Sequence, residues 1–179
     1  LLLLDEAHAF GVLGPQGRGL AAALGLEPRV DLQMGTFSKA AGLSGGYVCA
    51  SGAIVDLLIN RARSFIYSTA PCPALAATIR DGLDLVCGPR GEERRAILAA
   101  RREQFQPGTP SAIVPVIFGE NETALSASAS LQERGFLVPA IRYPTVPRGS
   151  ARLRVTLSAA HRTADLEALK NALEETIAR

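Results

Sequence analysis

The chain opens on four leucines, Leu1 to Leu4, and turns at once into the polar run Asp5-Glu6-Ala7-His8. An unbroken apolar run of this kind marks a strand buried on both faces, as parallel strands are, whereas half-exposed strands alternate. Such a strand needs neighbours on both edges, so we expect missing N-terminal sequence to supply them and the chain to be part of a longer protein. In open α/β sheets ligands collect beyond the carboxyl ends of the strands. Asp5 and His8 fall there, three residues apart, where a turn leaving the strand can aim both into one crevice. The fold class that follows is α/β.

The next segments extend that pattern. Phe10 to Gly19 carries four glycines and a proline, the composition of an irregular loop, and Leu20 to Leu26 reads as a short helix. Val30 to Thr36 is a second strand candidate, with Lys39 just past its carboxyl end. The glycine-rich run Ala40 to Gly46 leads into a third strand, Gly46 to Ala50. Apolar spacing predicts helices over 53–63, 74–86 and 92–105. The dense charge of the last of these is that of a solvated face. Ser64 to Thr69 reads as extended, and Gly88 to Gly91 as a helix stop.

Gln106-Pro107-Gly108-Thr109-Pro110 marks a boundary by composition. It divides the chain into residues 1–105, part of a larger domain whose N-terminal portion is expected to be missing, and residues 106–179, a small α+β domain. In the latter we expect a strand over 113–118 and a helix capped by Asn121 that runs to Arg134, with Gly135 at its C′ position. Further strands are expected over 136–141 and 153–157, with a stiff loop, Tyr143 to Pro147, between them. A final helix begins at Thr163.

Composition excludes several classes of function. A net charge of +2 gives no electrostatic case for nucleic acid or an anionic membrane. No apolar run approaches the ~20 residues that span a bilayer. Cys49, Cys72 and Cys87 are odd in number and show no metal-ligand spacing, so neither a disulfide framework nor a metal site is expected. They suit buried thiols in a reducing, cytoplasmic setting.

Lys39 is one of two lysines in a chain whose positive charge is otherwise arginine. An amine nucleophile must shed its proton near neutral pH, which lysine can do and arginine cannot. The plain alternative is a surface lysine in a loop. A carboxylate at one strand end, an imidazole three residues on and a lysine at the next strand end could surround one planar cofactor. Pyridoxal 5'-phosphate (PLP) needs such a set: an amine for its aldehyde, an acid to keep its pyridine nitrogen protonated, and hydroxyls and N–H groups for its phosphate. Thr36 and Ser38 flank the lysine.

Three runs, Asp5 to Gly19, Thr36-Phe37-Ser38-Lys39 and Ala151 to His161, together resemble the α-oxoamine synthases, a fold-type I PLP family. The resemblance covers nearly the whole chain but only about the C-terminal half of a family member. It implies the C-terminal part of a fold-type I transferase, with a mixed, mainly parallel sheet, a small α+β domain and a homodimeric assembly. It further implies that Lys39 forms the imine with the cofactor and later removes the substrate's α-proton. By the same carry-over Asp5 pairs with the pyridine nitrogen, His8 contacts the phenolic oxygen and Thr36, with Ser38, serves the phosphate. Tyr67-Ser68-Thr69 resembles a segment that reaches the cofactor or acyl substrate of the partner subunit. Arg154 would grip the substrate carboxylate and Thr145 would touch the substrate; Arg154 on an exposed strand face is the plain alternative. The run Ile141 to Arg154 looks most like the biotin-pathway members, which implies condensation of L-alanine with a pimeloyl thioester of CoA or acyl carrier protein. A ketobutyrate-forming ligase is the nearest competitor. Two further readings stay open: Leu1 to His8 as the Walker B strand of a DEAH-type motor, for which no phosphate loop is present, and an inactive piece of a larger enzyme.

Overall fold

The computed structural model describes residues 1–177. Its contacts divide the chain into two compact units, Leu1–Arg95 and Ala96–Arg179.

The first unit is built on a three-stranded sheet in the order β1 (Leu3–Asp5), β2 (Leu32–Thr36), β3 (Gly46–Ala50). β1 runs parallel to β2, with Asp5 opposite Met34. β3 returns antiparallel, with Thr36 opposite Gly46. Gly35 faces Tyr47 across this pair, and a Cβ at position 35 would lie 2.5 Å from the tyrosine hydroxyl, so the ring lies across bare backbone. Five helices accompany the sheet: α1 (Leu20–Ala23), α2 (Gly52–Arg61), α3 (Arg63–Ile66), α4 (Pro73–Cys87) and α5 (Pro89–Phe105). α5 crosses the division between the units.

The second unit is a two-layer α+β structure. Its sheet has the order β4 (Ile113–Gly119), β6 (Ala151–Thr156), β5 (Ala140–Ile141), all antiparallel. β6 alternates as a half-buried strand must: Ala151, Leu153 and Val155 are buried, while Arg152 and Arg154 point the other way. The helices α6 (Asn121–Glu133) and α7 (Thr163–Ile177) bring Leu131, Leu166, Leu169 and Leu173 onto the face carrying Val114, Leu153 and Val155.

Several sequence expectations are corrected. Arg63–Ile66 is helical, because Ile66 and Tyr67 donate to the carbonyls of Ala62 and Arg63; the aromatic and β-branched residues there are set by local turn bonding. α4 does stop at Gly88, its C-cap, but α5 begins at Pro89 and not at 92, since a first turn has no use for the missing N–H. Only Ala140–Ile141 of the expected 136–141 strand pairs with β6. Asn121 is the first residue of α6, not its cap; its Oδ1 accepts the Tyr143 N–H at 3.2 Å. Cys49 and Cys72 are exposed and Cys87 is half-buried, unlike the buried thiols expected. The division between units falls inside α5 and not at Gln106, because Leu98 and Phe105 of that helix pack into the C-terminal core. β1 is paired only with β2 among the described residues, and Leu3 is exposed. No helix among the described residues is long and apolar enough to cross a membrane.

Candidate active site

Parallel pairing brings the carboxyl ends of β1 and β2 side by side, and the Glu6 N–H donates to the Met34 carbonyl at 2.8 Å where they leave the sheet. Asp5 stands opposite Met34, and Thr36 lies two residues beyond Met34, so Asp5 and Thr36 rise from the same face. Asp5 Oδ1 accepts the Ala7 N–H at 2.8 Å, which orients the carboxylate within its own turn. The N–H groups of Ala9 and Phe10 both donate to the Glu6 carbonyl, at 2.9 and 2.8 Å, and close the turn that carries His8.

Lys39 sits in the connection between β2 and β3, exposed, on a turn closed by the Gly42 N–H to its own carbonyl at 3.1 Å. Gly42, at φ 66°, supplies the left-handed residue that closes it. Phe37 N–H to Gly45 O at 3.0 Å and Leu43 N–H to Phe37 O at 2.9 Å knit the connection together. The Thr36 hydroxyl donates to Gly45 O at 2.9 Å, accepts the Ser38 N–H at 3.1 Å and lies 2.7 Å from Ser38 Oγ. Thr36 therefore shapes the loop, and Ser38 is the more exposed hydroxyl of the two.

An aromatic group joins this loop to the first. The Tyr47 ring lies 4.9 Å from Phe37 and 5.9 Å, edge-on, from Phe10. Burial pushes the Tyr47 phenol above its ordinary range, and Cys49, Glu6 and Cys87 push the same way.

The remaining predicted residues are carried by other elements. Ser68 Oγ donates to the Phe65 carbonyl at 2.8 Å just past α3, and Thr69 follows it, exposed. Arg154 and Thr145 belong to the C-terminal unit. Arg154 is half-buried on β6, sharing a face with Arg152, and its N–H donates to Pro139 O at 2.9 Å. Thr145 is exposed in the loop after β5, its N–H on Arg142 O at 2.8 Å.

Two residues of this region escape a reading of the sequence. Glu6 is 3% exposed, and its carboxylate accepts the N–H groups of Leu20 at 2.9 Å and Ala21 at 2.8 Å. Tyr47 is the other. A glutamate beside a strand end looks the same in sequence whether solvated or buried. The one available signal was Gly19, whose φ of 111° and whose lack of room for a Cβ, 2.7 Å from Glu6 Cδ, place a glycine where the carboxylate passes.

Comparison with known proteins identifies the family. The profile of the family described as aminotransferase class I and II matches residues 1–173. The 8-amino-7-oxononanoate synthase of Herminiimonas arsenicoxydans is 46% identical over 187 residues, covering 97% of this chain and 48% of that protein. That of Bordetella petrii is 46% identical over 184 residues, covering 97% and 46%. The chain thus spans about half the length of the curated relatives it matches. Among solved structures, a serine palmitoyltransferase from S. paucimobilis with a bound PLP–myriocin aldimine superposes with a TM-score of 0.89 at 28% identity, covering 98% of this chain and 47% of that one. The 8-amino-7-oxononanoate synthase from Francisella tularensis gives 0.83 at 26% identity, covering 98% and 54%. A family match over almost the whole chain removes the reading of Leu1 to His8 as part of a nucleotide-driven motor. The chain belongs to the aminotransferase class I and II family, and within it resembles the α-oxoamine synthases.

Proposed function

We propose that the protein is a PLP-dependent α-oxoamine synthase that condenses L-alanine with a pimeloyl thioester to 8-amino-7-oxononanoate, a step of biotin biosynthesis. The observation that carries this reading is the parallel register of β1 and β2, which sets Asp5 and Thr36 on one face at one end of the sheet, with Lys39 three residues beyond Thr36. The donor set there fits the cofactor: an acid for the pyridine nitrogen, an amine for the aldehyde, and hydroxyl and N–H donors for the phosphate. When bound, the cofactor supplies the electron sink that lets an amino acid lose its α-proton and carboxylate.

The chain's own residues do the rest. Lys39 Nζ would hold the cofactor's aldehyde and, once displaced there by the incoming amino acid, would be the free amine that accepts the α-proton. The Asp5 carboxylate, fixed by the Ala7 N–H, keeps the pyridine nitrogen protonated by charge pairing. His8 hydrogen-bonds the phenolic oxygen. Ser38, and Thr36 through it, serve the phosphate. Ser68 and Thr69 act toward the cofactor or acyl substrate of a partner subunit in a homodimer. Arg154 clamps the substrate carboxylate with its planar pair of N–H donors, and Thr145 lines the substrate. The deprotonated α-carbon would bond to the thioester carbonyl carbon, the thiolate of CoA or acyl carrier protein would leave, the carboxylate would depart as carbon dioxide, and the α-carbon would take up a proton in its place. The choice of alanine and a pimeloyl group is supported by the run Ile141 to Arg154 and by relatives at 46% identity that carry the synthase name.

A panel of alanine and glycine against acetyl and pimeloyl thioesters, with the protein supplied with PLP, tests this. Turnover is expected with alanine and the pimeloyl donors. Preference for glycine and acetyl-CoA would replace the reading with that of a ketobutyrate-forming ligase.

A further inference from the structure

Glu6 has no part in the chemistry above, yet among the described residues it is the one charged side chain that is buried. Its three polar groups point three ways. The N–H holds β2 through Met34 O at 2.8 Å, and the carbonyl closes the His8 turn through Ala9 and Phe10. The carboxylate takes the first two N–H groups of α1, at 2.9 and 2.8 Å. The cap position of α1 is Gly19, which offers no side-chain cap of its own, so this short helix is capped from fourteen or fifteen residues away. Position 19 cannot supply a side-chain cap, since its φ of 111° and the nearness of Glu6 Cδ leave it to glycine. Instead the cap comes from the residue next to Asp5 in the turn that carries His8, and the intervening loop is fastened to itself by Gly11 N–H to Gly17 O at 2.7 Å and Gly19 N–H to Leu13 O at 2.9 Å.

We infer that Glu6 is a positioning residue, whose buried carboxylate locks the turn bearing Asp5 and His8 against α1 and so fixes the two side chains that face the cofactor ring. The inference rests on the cofactor reading of this end of the sheet. Glu6→Gln presents one carbonyl oxygen and an NH2 group to two N–H donors, so one contact turns from attraction to donor against donor. Glu6→Asp keeps the charge but falls one methylene short. Val114→Ala, in the core of the C-terminal unit, is the comparator: it lowers stability without touching the turn.

The experiment has two readouts. Amide hydrogen exchange in the cofactor-free protein reports Ala9, Phe10, Leu20 and Ala21, and titration with PLP reports its dissociation constant and the pH midpoint of the bound cofactor's visible band. For Glu6→Gln we expect faster exchange at all four amides, binding weaker by about tenfold and a midpoint moved by about half a unit or more. Glu6→Asp should move the same quantities less. Val114→Ala should lower the melting temperature and leave affinity and midpoint unchanged. If both Glu6 variants bind and titrate PLP as the unsubstituted protein does, with only a lower melting temperature, Glu6 is merely structural and the inference is overturned. If the unsubstituted protein takes up no PLP, the functional reading falls and the inference falls with it.

Discussion

At the scale of single residues, the strand ends decide what the molecule can do. The placement of Asp5 at the end of β1 and of Lys39 just past β2 was legible, because a carboxylate closes an apolar run and the lysine is one of two in the chain. Lys39→Ala should cost on the order of 10² to 10⁴ in kcat, the usual worth of a positioned proton acceptor, and should abolish the visible absorbance of the loaded protein. Arg154→Lys removes the planar fork while keeping the charge. Losing a charge-assisted bond costs about 1.5–3 kcal/mol, so KM for the amino acid should rise roughly ten- to a hundredfold, with little change in cofactor uptake. Glu6 and Tyr47 were not legible, since sequence does not tell a buried glutamate or phenol from a solvated one. The raised pKa of Tyr47 has a thermodynamic consequence. The unfolded chain ionises this phenol first, so the stability it contributes is present below the unfolded value of about 10 and is lost as pH rises through the folded value. Urea melts from pH 9 to 11 should show stability falling with pH, and Tyr47→Phe should flatten that slope.

At the scale of elements, local rules worked where a single residue dictates the backbone and failed where tertiary pairing does. Gly135 was read correctly as the terminator of α6: it has φ 86°, its N–H bonds Gln132 O at 3.0 Å, and the Phe136 N–H bonds Leu131 O at 2.9 Å, the double closure of a Schellman end. No atom lies within 4 Å of a Cβ built there, so Gly135→Ala isolates backbone conformation and should cost about 1–2 kcal/mol in a urea melt. The 136–141 segment looked like a strand throughout, yet only its last residues meet β6. Composition gave it strand character, but the length of a strand is set by the partner it meets. The short helix α3 was misread for the same kind of reason, its aromatic residues suggesting an extended segment that local hydrogen bonds do not form.

At the scale of the whole molecule, the two units differ in how much core they hold. The core cluster runs from Phe105 to Leu173, with Leu131 and Leu153 fully buried. Leu153→Ala should therefore cost about 2–5 kcal/mol. In the N-terminal unit only Phe10, Ala21 and Val86 are buried hydrophobics among the described residues. Expressed separately, residues 96–179 should unfold in one sharp transition, and residues 1–95 should melt broadly with little near-UV signal; a sharp melt from the latter would contradict this account of where the core lies. The α/β class and the α+β character of the second unit were visible in the order of apolar runs, because periodicity is a local property. The division inside α5 was not, because it depends on which residues of one continuous helix pack into which core.

The central claim is that the amine of Lys39 carries the cofactor. The direct measurement is to load the protein with PLP, reduce it with borohydride so that any imine becomes a stable secondary amine, and map the modified peptide by mass spectrometry. A phosphopyridoxyl group is expected on Lys39 and none on Lys170. A label on Lys170 alone, or no label on a protein that has bound the cofactor, would contradict that claim.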